Sequence, residues 1–430
     1  MAPAYLKGMK PSARVLILST ISFTLLFAVW LMFGVLGVPI KEELHLDTVQ
    51  FSWLTAIAVL SGSIWRLPLG IWTDRVGGRR LMTLLLIATA IPTLLVSHAT
   101  TFSQLMVCAF LFGIAGNSFS VGIAWNAAWA DRDRQGFALG VFGAGNVGAS
   151  ITKLIGPALI ALVPAGGIGL LPGGWRGVPV LYAALLVVMA AMLWVATPTP
   201  DRHPGSGRPL SALLAPLREV RTWRFGLYYV VVFGAYVALS LWLPAYYKRV
   251  FGLPLAKAAL LTALFIFPAS LLRPLGGWLS DRFGARPVTY AVFIGMLLAC
   301  VPLAAPDGAL GFHVGLAQFI ALIEVLGIGM GLGKASVYKY IAEYFPNEVG
   351  AAGGLVGTLG ALGGFVLPLG FGYLDKSSGR PESCFWIMGA LVLACLVWLH
   401  TVVSGMRRRN TMRVRTLVVD AAADQVGAGA

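Results

Sequence analysis

Long apolar runs, separated by short polar segments, cover most of this chain. An α-helix needs roughly 20 apolar residues to cross the hydrocarbon core of a bilayer. About twelve runs reach that length, so the pattern predicts an all-α membrane protein with about twelve transmembrane helices. The predicted spans are 15–39, 49–72, 80–98, 103–130, 136–163, 178–197, 224–248, 256–280, 287–305, 312–340, 348–374 and 383–405.

The first run follows Lys7, Lys10 and Arg14, as the apolar core of a signal peptide would. It lasts about 25 residues, whereas the apolar core of a signal peptide has roughly 7–15. We therefore expect it to stay in the protein as the first span.

One long polar segment, rich in Pro, Gly, Ser and Arg, divides the spans into two sets of six. Secondary transporters are commonly built from such repeated halves. The predicted organisation is an N-terminal six-helix bundle at 1–197, a cytoplasmic linker at 198–222, a C-terminal six-helix bundle at 223–406 and a cytoplasmic tail at 407–430. The tail is polar, and we expect it to lack regular structure.

A repeated motif supports the two related halves. It begins with an arginine inside an apolar run and continues into a polar loop, first at 66–80 and again at 273–286. Six residues recur at one constant offset: Arg66, Gly70, Asp74, Arg75, Gly77 and Arg79 match Arg273, Gly277, Asp281, Arg282, Gly284 and Arg286.

Composition agrees with a membrane protein, since 58% of the 430 residues are hydrophobic and 11% are charged. The formal charge of +15 suggests nucleic acid at first sight, but the basic residues lie in short loops and at the termini, without an aromatic and basic platform. The positive-inside rule accounts for them better and predicts that both termini are cytoplasmic, in a cell (inner) membrane. The four cysteines are dispersed in or beside apolar runs, which is typical of small buried hydrophobic residues.

Two arginines, Arg66 and Arg273, lie within predicted spans. A charge there costs about 2.5–3.5 kcal/mol on insertion scales, so each should face the protein interior and have a function. Guanidinium is planar, keeps its charge and offers paired donors, which suits a small planar anion held between the two halves. The alternative is that each arginine forms a structural ion pair, but no acidic residue lies at the matching depth.

Two glycine-rich stretches lie in the fifth and eleventh runs. The first, with Gly143, Gly145 and Gly148, fits the dinucleotide-binding pattern, but it lies inside an apolar helix and not between a strand and a helix. Glycines at this spacing in membrane helices instead permit close backbone approach. The second stretch contains Gly357, Gly360 and Gly363.

The loop motif resembles the cytoplasmic signature of the major facilitator superfamily, in which it would link helices in one conformational state. The glycine-rich stretches and the arginine pair further resemble the nitrate/nitrite porter family, over nearly all of the chain between its termini. The resemblance implies a major facilitator fold with two pseudo-symmetric six-helix bundles. It also implies an anion site with Arg66, Arg273, Asn146, Phe119, Tyr229, Phe233 and Thr358.

The resemblance assigns gating or structural roles to the remaining motif residues. They are Gly70, Asp74, Arg75, Gly77, Asp281, Arg282, Gly143, Gly145, Gly148, Gly357, Gly360 and Gly363. Taken alone, each pocket aromatic would as readily be a packing residue.

Further charges within the spans are Glu324, Lys153 and Lys334. Ionisable residues in membrane helices commonly mark proton relays. The run at 331–340 resembles the branch of the family associated with proton symport, so these three are candidates for proton coupling. We expect Glu324, the one carboxylate well inside a predicted span, to carry the proton, helped by Lys153 or Lys334. The alternative is charge balance, with Glu324 neutralising a lysine. Lys339 lies where it could extend to the cytoplasmic edge.

These expectations combine into nitrate import across the inner membrane by nitrate/proton symport with alternating access. Nitrate/nitrite exchange, nitrite export or symport of another small anion stay open as alternatives. A sensor would need an output domain and an enzyme a catalytic set, and neither is evident, so we expect no enzyme, metal or cofactor. The expected partners are nitrate or nitrite, protons and the lipid bilayer, with the protein a monomer.

Overall fold

The structure is a computed structural model that describes residues 8–130, 135–162, 164, 166–167, 172–202, 218–305, 314–345 and 349–427. Within these ranges it describes only the backbone at 71, 74, 127, 135–137, 342, 349–351, 407 and 409–427. The linker residues 203–217 lie outside the described residues, so the predicted domain boundaries stay a prediction.

The chain is helical along twelve consecutive segments, which we number as spans 1–12. Their bounds are Pro11–Trp30 with Phe33–Glu43 (span 1), Thr48–Ile64 with Arg66–Val76 (span 2), Gly78–Val96 (span 3), Phe102–Phe112 with Gly113–Asn117 and Ser118–Trp129 (span 4), Gln135–Ala144 with Gly145–Val147 and Gly148–Leu162 (span 5), Gly174–Arg176 with Gly177–Ala196 (span 6), Val220–Tyr229 with Val230–Gly234 and Ala235–Phe251 (span 7), Leu255–Leu271 with Arg273–Phe283 (span 8), Ala285–Ala304 (span 9), Leu316–Tyr344 (span 10), Val349–Ser378 (span 11) and Ser383–Gly427 (span 12).

Eleven helices of the described chain are long and apolar enough to cross a membrane, and Thr48–Ile64 is a shorter apolar helix. The predicted all-α membrane architecture is therefore confirmed. The apolar runs suggested continuous helices for spans 2 and 8, but both spans are interrupted. The first is interrupted at Trp65 and the second at Leu272, each directly before an arginine.

The two interrupted spans repeat one another in detail. The 17-residue helices Thr48–Ile64 and Leu255–Leu271 are each followed by an 11-residue helix. The loops that follow turn at Gly77 and Gly284, with φ of 88° and 87°. Only glycine adopts this backbone readily, so the repeated glycines are required by the same turn. The internal repeat read from the sequence is therefore a repeat of structure.

Glycine also sets how closely spans from the two halves approach. A Cβ atom on Gly34 of span 1 would lie 2.9 Å from the carbonyl oxygen of Ser240 in span 7. On Gly364 of span 11 it would lie 2.9 Å from Val237 of span 7 and 3.2 Å from Val59 of span 2. Spans 1 and 7 are thus in backbone contact, and the valine side chains of spans 2 and 7 pack directly on the backbone of span 11, as glycine-rich membrane helices allow.

The end of the molecule remote from the repeated motif, which we call the opposite end, is closed by contacts between the two halves. Glu42 pairs with Lys248, and Asp47 pairs with Lys376 at 3.0 Å. The backbone N–H of Gln50 and the Lys376 ammonium hold the pKa of the Asp47 carboxyl below its usual range, so this carboxylate stays charged at neutral pH.

At the end that carries the motif, called the motif end, the carboxylates of Asp201 and Asp281 each make polar contacts within one half. Asp201 accepts hydrogen bonds from the backbone N–H of Arg79 and from the indole N–H groups of Trp125 and Trp129, at 2.9–3.0 Å. Asp281 pairs with Lys339 at 2.6 Å. Ion pairs therefore join the two halves at the opposite end, whereas these two carboxylates at the motif end bind within their own halves.

Span 12 does not end near residue 405 as expected but continues as a helix to Gly427. The segment after Arg407 contains no glycine or proline before Gly427 and includes three consecutive alanines at 421–423. Alanine has the highest helix propensity and glycine is a poor helix former, so the backbone can extend the last span through the polar tail.

Candidate anion site

Arg66 lies at the interruption of span 2 and is 3% exposed. Its Nε donates to the carbonyl of Gly62 at 3.0 Å, one helical turn back. Its two terminal nitrogens donate across the interior to the carbonyls of Gly116 in span 4 and Gly357 in span 11, both at 3.4 Å. The guanidinium is thus anchored on its own helix and held against both halves of the chain.

Arg273 holds the equivalent position at the interruption of span 8. Its Nη1 is buried without a hydrogen-bond partner. A Cβ atom on Gly143 of span 5 would lie 3.6 Å from this nitrogen, so the second arginine points at the first glycine-rich stretch. A buried charged donor without an acceptor is rare, and it fits a position that an anion completes.

Phe119 of span 4 separates the two arginines. Its ring centroid lies 5.9 Å from Cζ of Arg66 and 5.9 Å from Cζ of Arg273. Both separations are within the range of a cation–π interaction. One aromatic ring therefore sets the spacing of two guanidiniums that come from opposite halves.

Asn146 lies in the tight turn Gly145–Val147 that interrupts span 5, and it is 1% exposed. Its side-chain Nδ2 is buried without a hydrogen-bond partner. It is three residues after Gly143, which places it on the helix face that meets Arg273. Two unpartnered donors, one an amide and one a guanidinium, thus lie on facing elements.

Span 7 supplies an aromatic wall. Tyr229 and Phe233 stack with centroids 5.1 Å apart, and Tyr338 of span 10 meets Tyr229 edge-on at 5.2 Å. The Phe233 ring lies 5.4 Å from Cζ of Arg66. The segment Val230–Gly234 is a π-helix, a distortion that is frequent at functional sites. The wall therefore belongs to the same site as the first arginine.

The glycines of span 11 let its backbone pack closely against spans 7 and 10, which carry the aromatic wall. A Cβ on Gly363 would lie 2.6 Å from Val230, and one on Gly357 would lie 3.1 Å from the Tyr338 hydroxyl. Thr358 donates its hydroxyl to the carbonyl of Gly354 within its own helix, at 3.0 Å. The carbonyl of Gly357 thus accepts a hydrogen bond from Arg66. The Thr358 hydroxyl is already used in a hydrogen bond within its own helix.

The three candidates for proton coupling lie in different places. The Lys334 ammonium is 3.3 Å from the Tyr236 ring centroid and 5.7 Å from that of Phe233. Lys153 is 3.5 Å from the carbonyl of Leu31, where span 1 is interrupted. Glu324 lies within electrostatic range of Tyr247, and its Oε1 has no hydrogen-bond partner. Lys334 also donates to the carbonyl of Ala269 at 2.8 Å, so both lysines donate to backbone carbonyls. The contacts of the described residues do not show Glu324 neutralising either lysine.

Among the described residues, no carboxylate pairs with Arg66, Arg273 or Lys334. The two guanidiniums and the Lys334 amine therefore have no protein counter-ion among the described residues. A buried charge is normally paired, because isolating it is costly. The arrangement is suited to a ligand that brings negative charge.

Sequence reasoning missed two aromatic residues of this site. Tyr236 donates toward the carbonyl of Asn146 at 3.5 Å and exchanges a hydrogen bond with Ser270 at 3.1 Å. Trp30 donates to the carbonyl of Ala58, and its ring lies 5.6 Å from Cζ of Arg66. The spacing of Phe233 and Tyr236, three residues apart on one helix, was the available signal for Tyr236.

After its two arginines, the repeated motif continues along the helices Arg66–Val76 and Arg273–Phe283 to the turns at Gly77 and Gly284, at the motif end. Gly70 approaches Ser120 of span 4, and Arg75 is exposed. Arg282 lies over the rings of Trp278 and Phe283. The side chain of Asp74 lies outside the described residues. Gly145 and Gly148 face Phe23 and Thr24 of span 1, and Gly360 faces Tyr229.

A model described as the Major Facilitator Superfamily matches residues 18–323 and 250–419. The chain belongs to this superfamily. A solved member of the same architecture, a bacterial homologue of the human lysosomal transporter Spinster in an inward-facing and occupied conformation, superposes with a TM-score of 0.74 at 18% identity over 92% of this chain and 97% of that chain. At that identity the likeness concerns the fold alone.

Curated relatives within the superfamily confirm the resemblance to nitrate/nitrite porters. A protein of Thermus thermophilus named probable nitrate/nitrite antiporter NarK1 is 57% identical over 96% of this chain and 97% of its own length. The nitrite extrusion protein of Bacillus subtilis is 31% identical over 89% and 93%. A probable nitrate/nitrite transporter, NarK2, of Mycobacterium tuberculosis is 32% identical over 85% and 89%. This superfamily member is thus a multi-pass membrane transporter.

Proposed function

We propose that this transporter moves nitrate and nitrite across the cell (inner) membrane and binds them between Arg66 and Arg273. The observation that carries the proposal is the pair of guanidiniums on either side of Phe119, with no carboxylate to neutralise them among the described residues. Nitrate is planar and singly charged, and its oxygens can accept from a guanidinium fork. The unpartnered Arg273 Nη1 and Asn146 Nδ2 are the donors that it would satisfy.

The names of the relatives support this substrate class, since those compared are described as moving nitrate, nitrite or both. The 57% identical relative matches almost the whole chain, so the arginine pair and both glycine-rich stretches fall within the matched region. We extend the same substrates to this chain.

Alternating access is the mechanism that the two-half architecture favours. With both termini cytoplasmic, as the distribution of Lys and Arg predicts, the opposite end faces the outside. The pairs Glu42–Lys248 and Asp47–Lys376 then close the outer side between the halves. The structure corresponds on this proposal to a state closed to the outside, and rocking of the halves about the arginines would reverse the access.

Nitrate entry into a cell with a negative interior is uphill by about 2.3 kcal/mol per 100 mV, so accumulation needs a coupled ion. We propose proton symport, because the buried lysines Lys334 and Lys153 supply protonatable groups within the spans. Nitrate/nitrite exchange is the second candidate, favoured by the antiporter name of the 57% identical relative. Exchange of one monovalent anion for another needs no proton.

The test uses purified protein in proteoliposomes. Nitrate entry is followed with an internal nitrate reporter and internal pH with a trapped dye, with either nitrite or an inert buffer inside. Symport predicts nitrate-dependent acidification of vesicles without internal nitrite. Brisk nitrate-for-nitrite exchange without acidification supports the exchanger instead. Absence of nitrate movement in both conditions, in folded protein, contradicts the proposed substrate.

A further inference from the structure

The side chain of Lys334 forms part of the wall of the anion site. It is fully buried, and its ammonium lies 3.3 Å from the Tyr236 ring centroid. The Lys334 amine is also 5.7 Å from the centroid of the Phe233 ring, and the same ring lies 5.4 Å from Cζ of Arg66. Lys334 therefore shares an aromatic partner with a substrate-binding candidate.

The backbone of span 8 fixes this position. Lys334 Nζ donates to the carbonyl of Ala269 at 2.8 Å, one helical turn before Arg273. The interruption of span 8 at Leu272 lies between Ala269 and Arg273. On span 10, a Cβ on Gly331 would lie 2.5 Å from the carbonyl oxygen of Pro268. The helices are thus close enough for a lysine to reach the broken turn that carries the second arginine.

The groups that face this amine are few. From span 7 they are Tyr236 and Phe233, and from span 8 the carbonyl of Ala269 and the charge of Arg273. Tyr338 lies on the same helix as Lys334, one turn further on, and faces Tyr229. Among the described residues none of these neighbours is a carboxylate, so a positive charge on Lys334 would be disfavoured by Arg273 and favoured only by the face of Tyr236.

The described contacts of Lys153 and Glu324, the two other candidates for proton coupling, are not with the residues of the anion site. Lys153 reaches the carbonyl of Leu31, and Glu324 is near Tyr247, whose ring packs against Phe319 and Phe251. A proton held on either group would act on the anion only over a distance. A proton on Lys334 lies beside the residues that hold it.

We propose that Lys334 carries the co-transported proton, as a neutral amine without substrate and as an ammonium when the anion is bound. The inference rests on the proposed anion transport and deepens it. A third positive charge beside Arg66 and Arg273 is disfavoured until a negative charge enters, so proton and anion assist each other's binding. The amine keeps an N–H for the carbonyl of Ala269 in both forms.

The proton step is a simple transfer. On the side of entry, the Nζ lone pair forms an N–H bond with a proton from hydronium, which leaves water. On the side of release, Nζ returns the proton to water as the anion departs. One anion and one proton move together, and no oxidant or other reactant is needed.

The test measures proton uptake on anion binding, which a merely structural lysine would not produce. Folded protein in nanodiscs, in weakly buffered solution, is titrated with sodium nitrate while the released or absorbed protons are counted and the Kd is determined between pH 5.5 and 8.5. Linkage predicts uptake of about one proton per nitrate in the wild type, with a Kd that rises by up to about tenfold per pH unit.

Two variants of Lys334 distinguish the effect of a positive charge at this position from the gain and loss of a proton there. Lys334→Arg keeps a permanent charge and Lys334→Met has none, so both should take up about zero protons per nitrate and give a flat Kd against pH, whatever their absolute affinity. Lys153→Met and Glu324→Gln change the two rival candidates and should keep the wild-type proton uptake. Lys257→Met, at an exposed position of span 8, is the control.

The outcomes are distinct. Proton uptake that persists in Lys334→Arg overturns the inference. Nitrate binding without proton uptake in the wild type also overturns it, but leaves the proposed anion site standing. A wild-type protein that binds no nitrate overturns both. If Lys334→Met does not fold, Lys334→Arg alone still decides the question.

Discussion

Arg66 in span 2 donates a hydrogen bond to the carbonyl of Gly357 in span 11, at 3.4 Å. The bond joins a charged side chain of the first half to the glycine-rich stretch of the second. Because Gly357 has no side chain, its backbone can come this close to the aromatic wall, where a Cβ would lie 3.1 Å from the Tyr338 hydroxyl. The glycine-rich stretch therefore acts on the candidate site through a carbonyl group.

Replacement of either arginine by lysine should abolish most of the transport. Lysine keeps the charge but loses the planar fork, and each hydrogen bond to a charged group contributes roughly 1.5–3 kcal/mol. We expect Arg66→Lys and Arg273→Lys each to lower nitrate uptake at least about tenfold. Uptake into proteoliposomes measures the effect, with the exposed Arg380→Lys as the control. Near-normal uptake by either arginine variant, in protein that elutes as a single folded species, would argue against the two-arginine site.

Phe119 should be needed for its ring and not for its volume. Its face is shared by two guanidiniums, and a cation–π contact is worth roughly 0.5–2 kcal/mol. We expect Phe119→Leu to weaken nitrate binding severalfold, as measured by equilibrium dialysis. Phe110→Leu on the same span is the matched control, because Phe110 is 37% exposed on the outer surface of the bundle. Equal behaviour of the two variants would remove Phe119 from the site.

Gly145 should tolerate substitution less well than its neighbour Asn146. A Cβ at Gly145 would lie 3.0 Å from the Thr24 hydroxyl, and the ring of Phe23 is nearer still. Gly145→Leu should therefore separate spans 1 and 5 and block transport, whereas Asn146→Ser should retain a measurable fraction of it. Gly140→Leu, on the same span with nothing within 4 Å of its Cβ position, should be tolerated. The reverse ranking of Gly145→Leu and Asn146→Ser would show that close packing is not the limiting requirement.

The ion pairs at the opposite end should bias the conformational equilibrium. An exposed pair contributes about 0–1 kcal/mol, so charge reversal at Lys248→Glu should raise the fraction open at that end by about fivefold or less. Distances between spin labels on cysteines introduced at the exposed positions His45 and Arg380 measure this fraction, because the four native cysteines are buried.

The double variant Glu42→Lys with Lys248→Glu restores an opposite-charge pair and should restore the closed distance. Arg176→Gln removes a pair with Glu43 inside the first half and should leave the distance unchanged. An unchanged distance in Lys248→Glu would mean that packing alone closes this end.

The spans and the repeat could be predicted from sequence because hydrophobic length and residue identity are local properties. The constant offset between Arg66 and Arg273 predicted equivalent depth, and the helix bounds around them agree. The interruptions at Trp65 and Leu272 were missed because an apolar run does not show where a helix breaks. The helical tail was missed because a polar composition does not itself prevent helix formation.

The neighbours of the charged residues could not be predicted in the same way. The distance of Glu324 from the site was not evident, since its spacing from Lys334 along one helix says nothing about which helices face each residue. The contact of Lys334 with Tyr236 depends on packing between spans 10 and 7. Asp201 was counted with the linker, yet it accepts hydrogen bonds from three residues on spans 3 and 4 of the first half.

The pairs Glu42–Lys248 and Asp47–Lys376 lie at the surface, with side chains 40–60% exposed. Charges in contact with solvent are screened by dissolved ions, over a Debye length of about 10 Å at 0.1 M salt and about 30 Å at 0.01 M. The strength with which this end closes is thus set partly by the surrounding water. Water of low ionic strength would hold the opposite end shut more firmly than brine, with no change in the protein.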